Sequence, residues 1–256
     1  MSENRKELID QGIMQTRNLA ECLAVDQRLL ATSIATQVDG ALGNALVEAA
    51  QASHSLGISK KIATIGRALG QWLEAASAQS REQQRDLLFN HPADTVRGWA
   101  AFANAWMVRE SSAEQALHSQ LRFATDSHFG VREWAWLALR AQLTGDLPHS
   151  FALLQRHSAS SDPLVRRFCI EILRPRGVWC EHIAGLKNQP EIAEGLLVPL
   201  LAEADKYPQD SLANWINDAS KTRPDWVVRL FQRYPPQCKA STRIYTRATR
   251  SLPATA

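Results

Sequence analysis

Three stretches of the chain begin in the same way: HPADTVRGWAAFANAW at residues 91–106, SHFGVREWAWLALR at 127–140 and SDPLVRRFCIEILRPR at 161–176. Each contains a turn residue, a few further positions, the pair Val-Arg and then an apolar run. Apolar runs of this length between Pro and Gly breaks, without strand-like alternation, favour helices. We therefore predict an all-α fold.

The Val-Arg pairs recur at a nearly constant distance along the chain. Val96, Val131 and Val165 stand 35 and 34 residues apart. A period of this size built from helices is typical of an α-solenoid, in which each helical pair buries its apolar face against its neighbours. A fourth copy without Val-Arg, YPQDSLANWINDASK at 207–221, and a fifth, STRIYTRATRSL at 241–252, continue the pattern. The alternative is a set of unrelated helices that share Val-Arg by chance.

The repeat pattern divides the chain into two regions. Residues 91–256 are predicted to form the repeats that carry the functional surface, in one continuous solenoid with residues 1–90. The first 90 residues are rich in Ala, Leu and Gln and predict helices over 15–30, 42–52 and 58–78, without a cluster of chemically reactive side chains. We interpret them as a helical scaffold.

The composition is that of a folded, globular protein. Of 256 residues, 45% are hydrophobic and 21% are charged, which excludes a largely disordered chain. No window approaches the roughly 18 to 20 consecutive apolar residues of a membrane span. The first ten residues, MSENRKELID, lack the apolar stretch of a secretory signal. We expect a cytoplasmic protein with no membrane partner.

The four cysteines, Cys22, Cys169, Cys180 and Cys238, form no CxxC motif and no cluster with His at metal-ligand spacing. This pattern argues against a zinc site and against a disulfide framework. Buried structural thiols are the favoured interpretation, and reactive cysteines are the alternative. We expect no metal and no cofactor.

Charge is distributed unevenly along the chain. Residues 1–150 contain 14 basic and 16 acidic side chains, whereas residues 151–256 contain 15 and 10, an excess of five positive charges. Of the 29 cations, 22 are Arg. A guanidinium group binds a phosphate through two hydrogen bonds or stacks on a base, which favours a nucleic-acid partner. The alternative is an Arg-rich genome.

Helical periodicity aligns three of the repeats. Counted from Val131, Val165 and Leu212, positions i, i+3, i+4 and i+7 are apolar in each case. These positions lie on one face of a helix and predict its buried side. The three predicted cores are therefore in register.

Three acidic residues lie close to one angle relative to these cores. Glu171 and Asp218 come six residues after the first apolar position of their helix, and Glu133 comes two residues after its own. At about 100° per residue these positions differ by only about 40°. Because equivalent faces of successive repeats line up, we predict that the three carboxylates converge on one surface. The alternative is that all three are solvated, with Glu171 paired to Arg167 four residues earlier.

Carboxylates in the basic part of the chain suggest a cationic target, since they repel the phosphates that arginines attract. A base alkylated at a ring nitrogen is such a cation, and so is the oxocarbenium-like sugar that forms when its glycosidic bond breaks. Trp136, three residues after Glu133, offers a ring face to a cation as well.

The runs HFGVREWAW at 128–136, VRRFCIEILRPRGVW at 165–179 and LANWINDASKTRPDWV at 212–227 resemble DNA alkylation repair glycosylases of the AlkC/AlkD type, nearer the AlkC side. These proteins are built from HEAT-like repeats. The resemblance covers about residues 91–252 and is weak over the first 90. It implies a superhelix that grips duplex DNA and hydrolyses the N-glycosidic bond of an N3- or N7-alkylated purine without a metal. It also implies that the lesion is handled without a deep extrusion pocket.

Carried over residue by residue, the resemblance places Glu133, Glu171 and Asp218 at the lesion site. Asp218 or Glu133 would face the anomeric carbon and the attacking water, and Glu171 would support them or hold a neighbouring Arg. Trp136 and Trp179 are the candidates for packing on the lesion or its sugar. For Trp179, a place in the core is an equal alternative.

Four arginines are expected to contact the DNA backbone: Arg132, Arg167, Arg174 and Arg176. The last two flank a proline and precede a glycine, which favours a loop of fixed shape that grips phosphates. The expected partner is alkylated double-stranded DNA, and the expected state is a monomer.

Two features depart from the family pattern. The fourth repeat begins Tyr207-Pro208-Gln209-Asp210 where the family usually has Tyr-Val-Arg-Arg, and the chain ends in SLPATA without the usual basic extension. Both weaken the expected affinity for DNA more than they change the acidic positions. The alternative function is a non-catalytic HEAT-like module that binds branched DNA or a protein partner.

Overall fold

The computed structural model describes residues 2–178 and 180–252, and within them it contains sixteen α-helices, two short 3-10 helices and no β-strand. The predicted all-α class is confirmed. No helix in these ranges combines the length and the apolar character needed to cross a membrane. The chain divides into two compact units, Met1–Leu139 and Arg140–Ala256. The division predicted at residue 90 marks where the repeat pattern begins, and it lies inside the first unit.

The helices of the first unit, as far as the structure describes it, have the following bounds: α1 (Glu3–Asp10), α2 (Leu19–Ala24), α3 (Gln27–Ala35), α4 (Gly40–Ala52), α5 (Ile58–Ala75), α6 (Ala78–Phe89), α7 (Asp94–Met107), α8 (Ala113–Ala124) and α9 (Phe129–Leu143), whose end belongs to the second unit.

The single helix predicted over residues 15–30 is wrong. The Asp26 side chain accepts hydrogen bonds from the backbone N–H groups of Arg28 and Leu29, at 2.9 and 3.3 Å. An aspartate in this position caps the start of a helix. The chain therefore ends α2 before it and begins α3 after it.

The N-terminal helices share one core with α7, the first helix that carries Val-Arg. In this core the backbones of α5 and α7 lie in close contact. Gly66 of α5 faces α7, where a β-carbon would lie 2.6 Å from the carbonyl oxygen of Trp99. Trp99 is fully buried and donates its indole N–H to Gln27 Oε1 of α3 at 2.9 Å. A side chain at position 66 would push the two helices apart.

The second unit continues with these elements: α10 (Leu147–His157), α11 (Pro163–Glu171), α12 (Ala184–Asn188), a 3-10 helix at Pro190–Ala193, α13 (Glu194–Leu197), a 3-10 helix at Val198–Leu200, α14 (Lys206–Ser220), α15 (Pro224–Arg233) and α16 (Lys239–Ala248). Within it, α14 packs against α11, α15 and α16.

The buried faces predicted from helix periodicity are confirmed. Counted from Val131, Val165 and Leu212, every predicted position is buried except Ala138, which is half-buried. The apolar positions of α9, α11 and α14 thus form the cores of their repeats.

The arginine of each Val-Arg pair fastens its helix to the preceding turn. Arg97, Arg132 and Arg166 each donate from Nη1 to the backbone carbonyls five and six residues earlier, at 2.6 to 3.0 Å. Arg97 also pairs with Asp126, and Arg166 pairs with Glu203, both at 2.7 Å. The same contacts in three copies contradict a chance recurrence of the motif.

Candidate functional site

Two of the predicted acids lie together in the second unit. Glu171 ends α11 and Asp218 lies in the last turn of α14, and their exposed fractions are 4% and 5%. Arg174 joins them: its Nη1 donates to Glu171 Oε2 at 3.1 Å, and its Nη2 and Nε donate to Asp218 Oδ2 at 2.7 and 3.1 Å. We call these three residues the acid–arginine cluster.

The remaining carboxylate oxygens of the cluster also have partners. Glu171 Oε1 accepts a hydrogen bond from Ser211 Oγ at 2.6 Å, and Arg167 Nη2 lies 3.8 Å from the same oxygen. Asp218 Oδ1 accepts from Lys221 Nζ at 3.2 Å. Burial and these contacts contradict the alternative that Glu171 and Asp218 are simply solvated. Arg174 is also a closer partner for Glu171 than the expected Arg167.

Glu171 and Arg174 hold each other in their ionised forms. Burial alone would raise the pKa of Glu171, but the charges of Arg174 and Arg167 and the hydrogen bonds from Ser211 and Arg174 outweigh it and lower that pKa. Burial lowers the pKa of Arg174, but Glu171 and Asp218 outweigh it and raise that pKa. Three basic side chains, Arg174, Arg167 and Lys221, therefore surround the two acidic ones.

A buried arginine holds the loop that follows α11. Arg140 Nη1 donates to the carbonyl of Ile172 at 2.7 Å, and its Nη2 donates to the carbonyls of Arg174 and Glu181 at 2.8 and 3.1 Å. Burial lowers the pKa of Arg140. Three bonds from one guanidinium fix the path of the backbone that carries Arg174.

The same loop carries two further predicted residues. Arg176 is half-buried, and its Nε donates to the backbone carbonyl of Asp218 at 3.2 Å. Trp179, predicted to pack on the lesion, lies outside the described residues. Arg176 therefore stands next to the acid–arginine cluster.

Arg167 lies in the interior beside the cluster. It is 7% exposed, and its guanidinium carbon lies 4.3 Å from the ring centroid of Tyr207. This is the geometry of a cation–π contact, which ties α11 to the start of α14. Its position next to Glu171 makes it part of the positive surroundings of that carboxylate.

Asp210 of α14, which departs from the family pattern, pairs with two arginines of α16. Arg243 Nη2 and Arg247 Nε lie 2.6 and 3.1 Å from Asp210 Oδ1. Arg250 Nη2 donates to Asn214 Oδ1 at 3.0 Å. Arg243 and Arg247 lie on α16 and Arg250 follows its end, so the fifth repeat is basic although the chain ends in SLPATA.

The third predicted acid lies in the first unit. Glu133 Oε2 accepts a hydrogen bond from the indole N–H of Trp136 at 3.0 Å. Trp136 is only 2% exposed, so its ring packs in the interior and orients the carboxylate. The convergence of Glu133 with Glu171 and Asp218 stays a prediction, because the residues belong to different units.

Sequence reasoning missed Lys221, Tyr207 and the bridging role of Arg174. Lys221 follows Asp218 by three residues on α14, a spacing that brings two side chains together on a helix and offers a usable signal. The bridge made by Arg174 depends on the path of a loop, and nothing in the local sequence pattern specifies it.

Comparisons with known proteins relate this architecture to repair proteins. No family model matches the sequence. The uncharacterized protein YhaZ of Bacillus subtilis (strain 168) is 34% identical over 120 residues, which is 47% of this chain and 31% of that protein. The chain thus spans about a third of the length of this relative.

Solved structures match a larger part of the chain. The Pseudomonas fluorescens alkylpurine DNA glycosylase AlkC, bound to DNA containing an abasic site analog, matches with a TM-score of 0.63 at 21% identity, over 96% of this chain and 64% of its own. AlkD2 from Streptococcus mutans matches with a TM-score of 0.59 at 18% identity, over 73% of this chain and 90% of its own. The chain has the helical-repeat fold of these AlkC and AlkD-type proteins, as the repeat motif predicted.

Proposed function

We propose that the chain binds duplex DNA and hydrolyses the N-glycosidic bond of an N3- or N7-alkylated purine. The observation that carries the proposal is the acid–arginine cluster, in which two buried carboxylates share one arginine within the basic part of the chain. The fold supports it, since AlkC is an alkylpurine DNA glycosylase and was solved with DNA.

The proposed reaction needs a fixed negative charge near the sugar. Alkylation at N3 or N7 makes the purine a cation, so that the base takes the electron pair and leaves as a neutral molecule when its bond to C1′ breaks. The sugar becomes oxocarbenium-like. Water then bonds to C1′ and gives its proton to a carboxylate or to solvent. Preorganised carboxylates stabilise both cationic species.

Within the cluster, we assign the role of facing the sugar to Asp218. Its Oδ1 accepts a hydrogen bond from Lys221, whose side chain is 44% exposed and has room to rotate away. Both oxygens of Glu171 are held by Ser211 and by Arg174. Glu171 is thus a positioning residue that fixes Arg174.

Glu133 is proposed as the second acid near the lesion, oriented by the indole N–H of Trp136. Trp136 then acts through Glu133, because its buried ring offers no open face for stacking. Trp179 stays the proposed packing residue.

The four arginines expected to contact phosphates have different proposed roles. Arg176 and Arg174, in the loop after α11, are proposed to bind the DNA backbone directly. Arg132 donates to two carbonyls of its own turn, and Arg167 stacks on Tyr207, so we assign them mainly an electrostatic contribution. We further propose a cytoplasmic monomer that needs no metal or cofactor, since the alkylated base is already a good leaving group.

The alternative is a non-catalytic module that binds branched DNA or a protein partner. One observation favours it: all four carboxylate oxygens of Glu171 and Asp218 accept hydrogen bonds from the protein. Complete internal satisfaction of this kind is common in buried clusters with a structural role.

The test is single-turnover release of N3-methyladenine and N7-methylguanine from methylated duplex DNA. Asp218→Asn is expected to lower the rate about 30- to 1,000-fold, which corresponds to about 2 to 4 kcal/mol of lost charge stabilisation. Its binding to the duplex should persist, because a negative charge is removed. The matched control is Asp225→Asn, the same substitution at an exposed residue of α15 that pairs with Arg223. Its rate should stay within about twofold of the parent rate.

Two outcomes would contradict the proposal. If the parent frees neither base while it saturates the DNA, the proposed glycosylase activity is wrong and the binding module replaces it. A preference for junctions over linear duplex then identifies a structure-specific DNA binder. If the parent is active but Asp218→Asn matches Asp225→Asn, the assignment of Asp218 is wrong.

A further inference from the structure

Two arginines of the first unit share one aromatic ring. Arg85 of α6 and Arg122 of α8 place their guanidinium carbons 5.2 and 5.1 Å from the ring centroid of Phe89. Phe89 is buried and meets Phe123 edge to face, with ring centroids 5.2 Å apart. Arg122 is exposed and Arg85 is half-buried, so solvent reaches the pair.

Neither guanidinium forms an ion pair with a carboxylate in residues 2–178 and 180–252. Arg122 Nη2 donates to Asn90 Oδ1 at 3.1 Å, whereas Arg85 Nε is buried without a hydrogen-bond partner. Asp86 and Asp126 are near enough for their charges to act on Arg122. Asp126 is already paired with Arg97 at 2.7 Å, and Asp86 forms no ion pair with either guanidinium in the described residues.

Without a bound anion, placing Arg85 and Arg122 around one ring lowers the stability of the fold. Two like charges lie over the same ring, and a buried N–H group lacks an acceptor, which a folded protein rarely tolerates. Burial and the charge of Arg85 lower the pKa of Arg122.

We propose that Arg85 and Arg122 together bind a phosphate group. Paired N–H groups of guanidinium match the oxygens of a phosphate, and one anion between the two side chains would relieve their repulsion. The pair lies on α6 and α8, and neither residue is among the predicted site residues. The phosphate belongs either to a free ion or small ester, or to the backbone of bound DNA.

The first experiment measures the thermal unfolding midpoint in sodium phosphate and in sodium chloride at equal ionic strength. Phosphate should raise the midpoint of the parent by a few degrees, as expected for a ligand at several times its dissociation constant. The double variant Arg85→Gln/Arg122→Gln should lose this rise. In chloride it should be at least as stable as the parent, because the repulsion is gone. Arg28→Gln, which removes one exposed cation of α3, is the matched control and should keep the rise.

The second experiment separates the two sources of phosphate. It compares the salt dependence of binding to undamaged duplex DNA by the parent and the double variant. A slope flatter by up to about two units indicates backbone phosphates, and an unchanged slope indicates the free ion. The inference is overturned if the parent shows neither effect, or if the phosphate response survives in the double variant or disappears in the control. Neither experiment involves base release, so its failure is distinguishable from failure of the proposed glycosylase activity.

Discussion

Arg166 of α11 and Arg174 of the loop that follows it each join two carboxylates, but they differ in how many of their N–H groups form hydrogen bonds within the fold. Arg166 makes five hydrogen bonds, three to Glu203 and Asp205 and two to the carbonyls of Ser160 and Ser161. Arg174 makes three, all to Glu171 and Asp218. A guanidinium has five N–H groups. Arg166 is therefore saturated by the fold, whereas Arg174 has donors to spare among the described residues.

The difference separates a structural ion pair from a candidate site. The Arg166 group closes a turn of the repeat and offers nothing to a ligand. The Arg174 group is just as buried, with side chains 13% exposed in both arginines, but its spare N–H groups and the movable Lys221 leave it able to accept one. Burial and charge alone do not distinguish the two.

The largest expected effect tests this distinction through stability. Arg166→Gln leaves the buried carboxylate of Glu203 without its main partner, and loss of one member of a buried pair costs about 3 to 5 kcal/mol. Arg174→Gln should cost less, because Lys221 and Arg167 still face the two acids. Urea unfolding of both variants measures the free energies.

Excision assays complete the comparison. Under conditions where each variant is folded, Arg166→Gln should release alkylated bases at the parent rate, whereas Arg174→Gln should be slower because the two carboxylates lose their bridge. A larger loss of stability in Arg174→Gln than in Arg166→Gln would overturn the distinction.

A smaller effect is expected in the dependence of stability on pH. The pKa values of Glu171 and Glu203 are both lowered: burial opposes the shift, and Arg174 and Arg167 in the first case and Arg166 in the second outweigh it. A carboxylate with a lowered pKa in the folded state stabilises the fold fully above its ordinary pKa of 4.5, and this contribution is lost as the pH falls through the lowered value.

The corresponding variants are Glu171→Gln and Glu203→Gln. Each should be less stable than the parent at pH 7, and the difference should shrink as the pH falls below 4.5, where the parent carboxylate itself becomes protonated. Unfolding free energies measured from pH 7 to pH 3 provide the check. A difference that grows toward acid pH would mean that the carboxylates are not held ionised by their arginines.

The sequence was sufficient for the fold because the fold repeats local patterns. The spacing of Val96, Val131 and Val165 follows from the repeat, and the apolar phases of α9, α11 and α14 follow from helix periodicity. The same arithmetic placed Glu171 and Asp218 at one angle, and both accept hydrogen bonds from Arg174.

What the sequence could not supply was the surroundings of these residues. A helical wheel says where a side chain points and nothing of what covers it, so Trp136 was expected at an open surface and is buried. Arg174 reaches both acids because Arg140, 34 residues earlier, holds the loop by its carbonyls. Contacts between residues so far apart along the chain leave no periodic signal in the sequence.

The smallest expected effect concerns the electrostatics of DNA binding. Arg176 makes one hydrogen bond in the described part of the chain, to the carbonyl of Asp218, and its position beside the cluster suits a phosphate contact. Arg176→Gln should flatten the dependence of duplex affinity on salt by about one unit, because one fewer phosphate is neutralised. Between 50 and 200 mM salt, the ratio of the duplex affinity of the parent to that of the variant should shrink about threefold.

Arg166→Gln is the matched control, since it removes the same charge from a guanidinium that is saturated within the fold. Its slope should equal that of the parent. If the two variants flatten the slope equally, the affinity for DNA depends on net charge alone. The distinction between saturated and available arginines then does not extend to DNA binding.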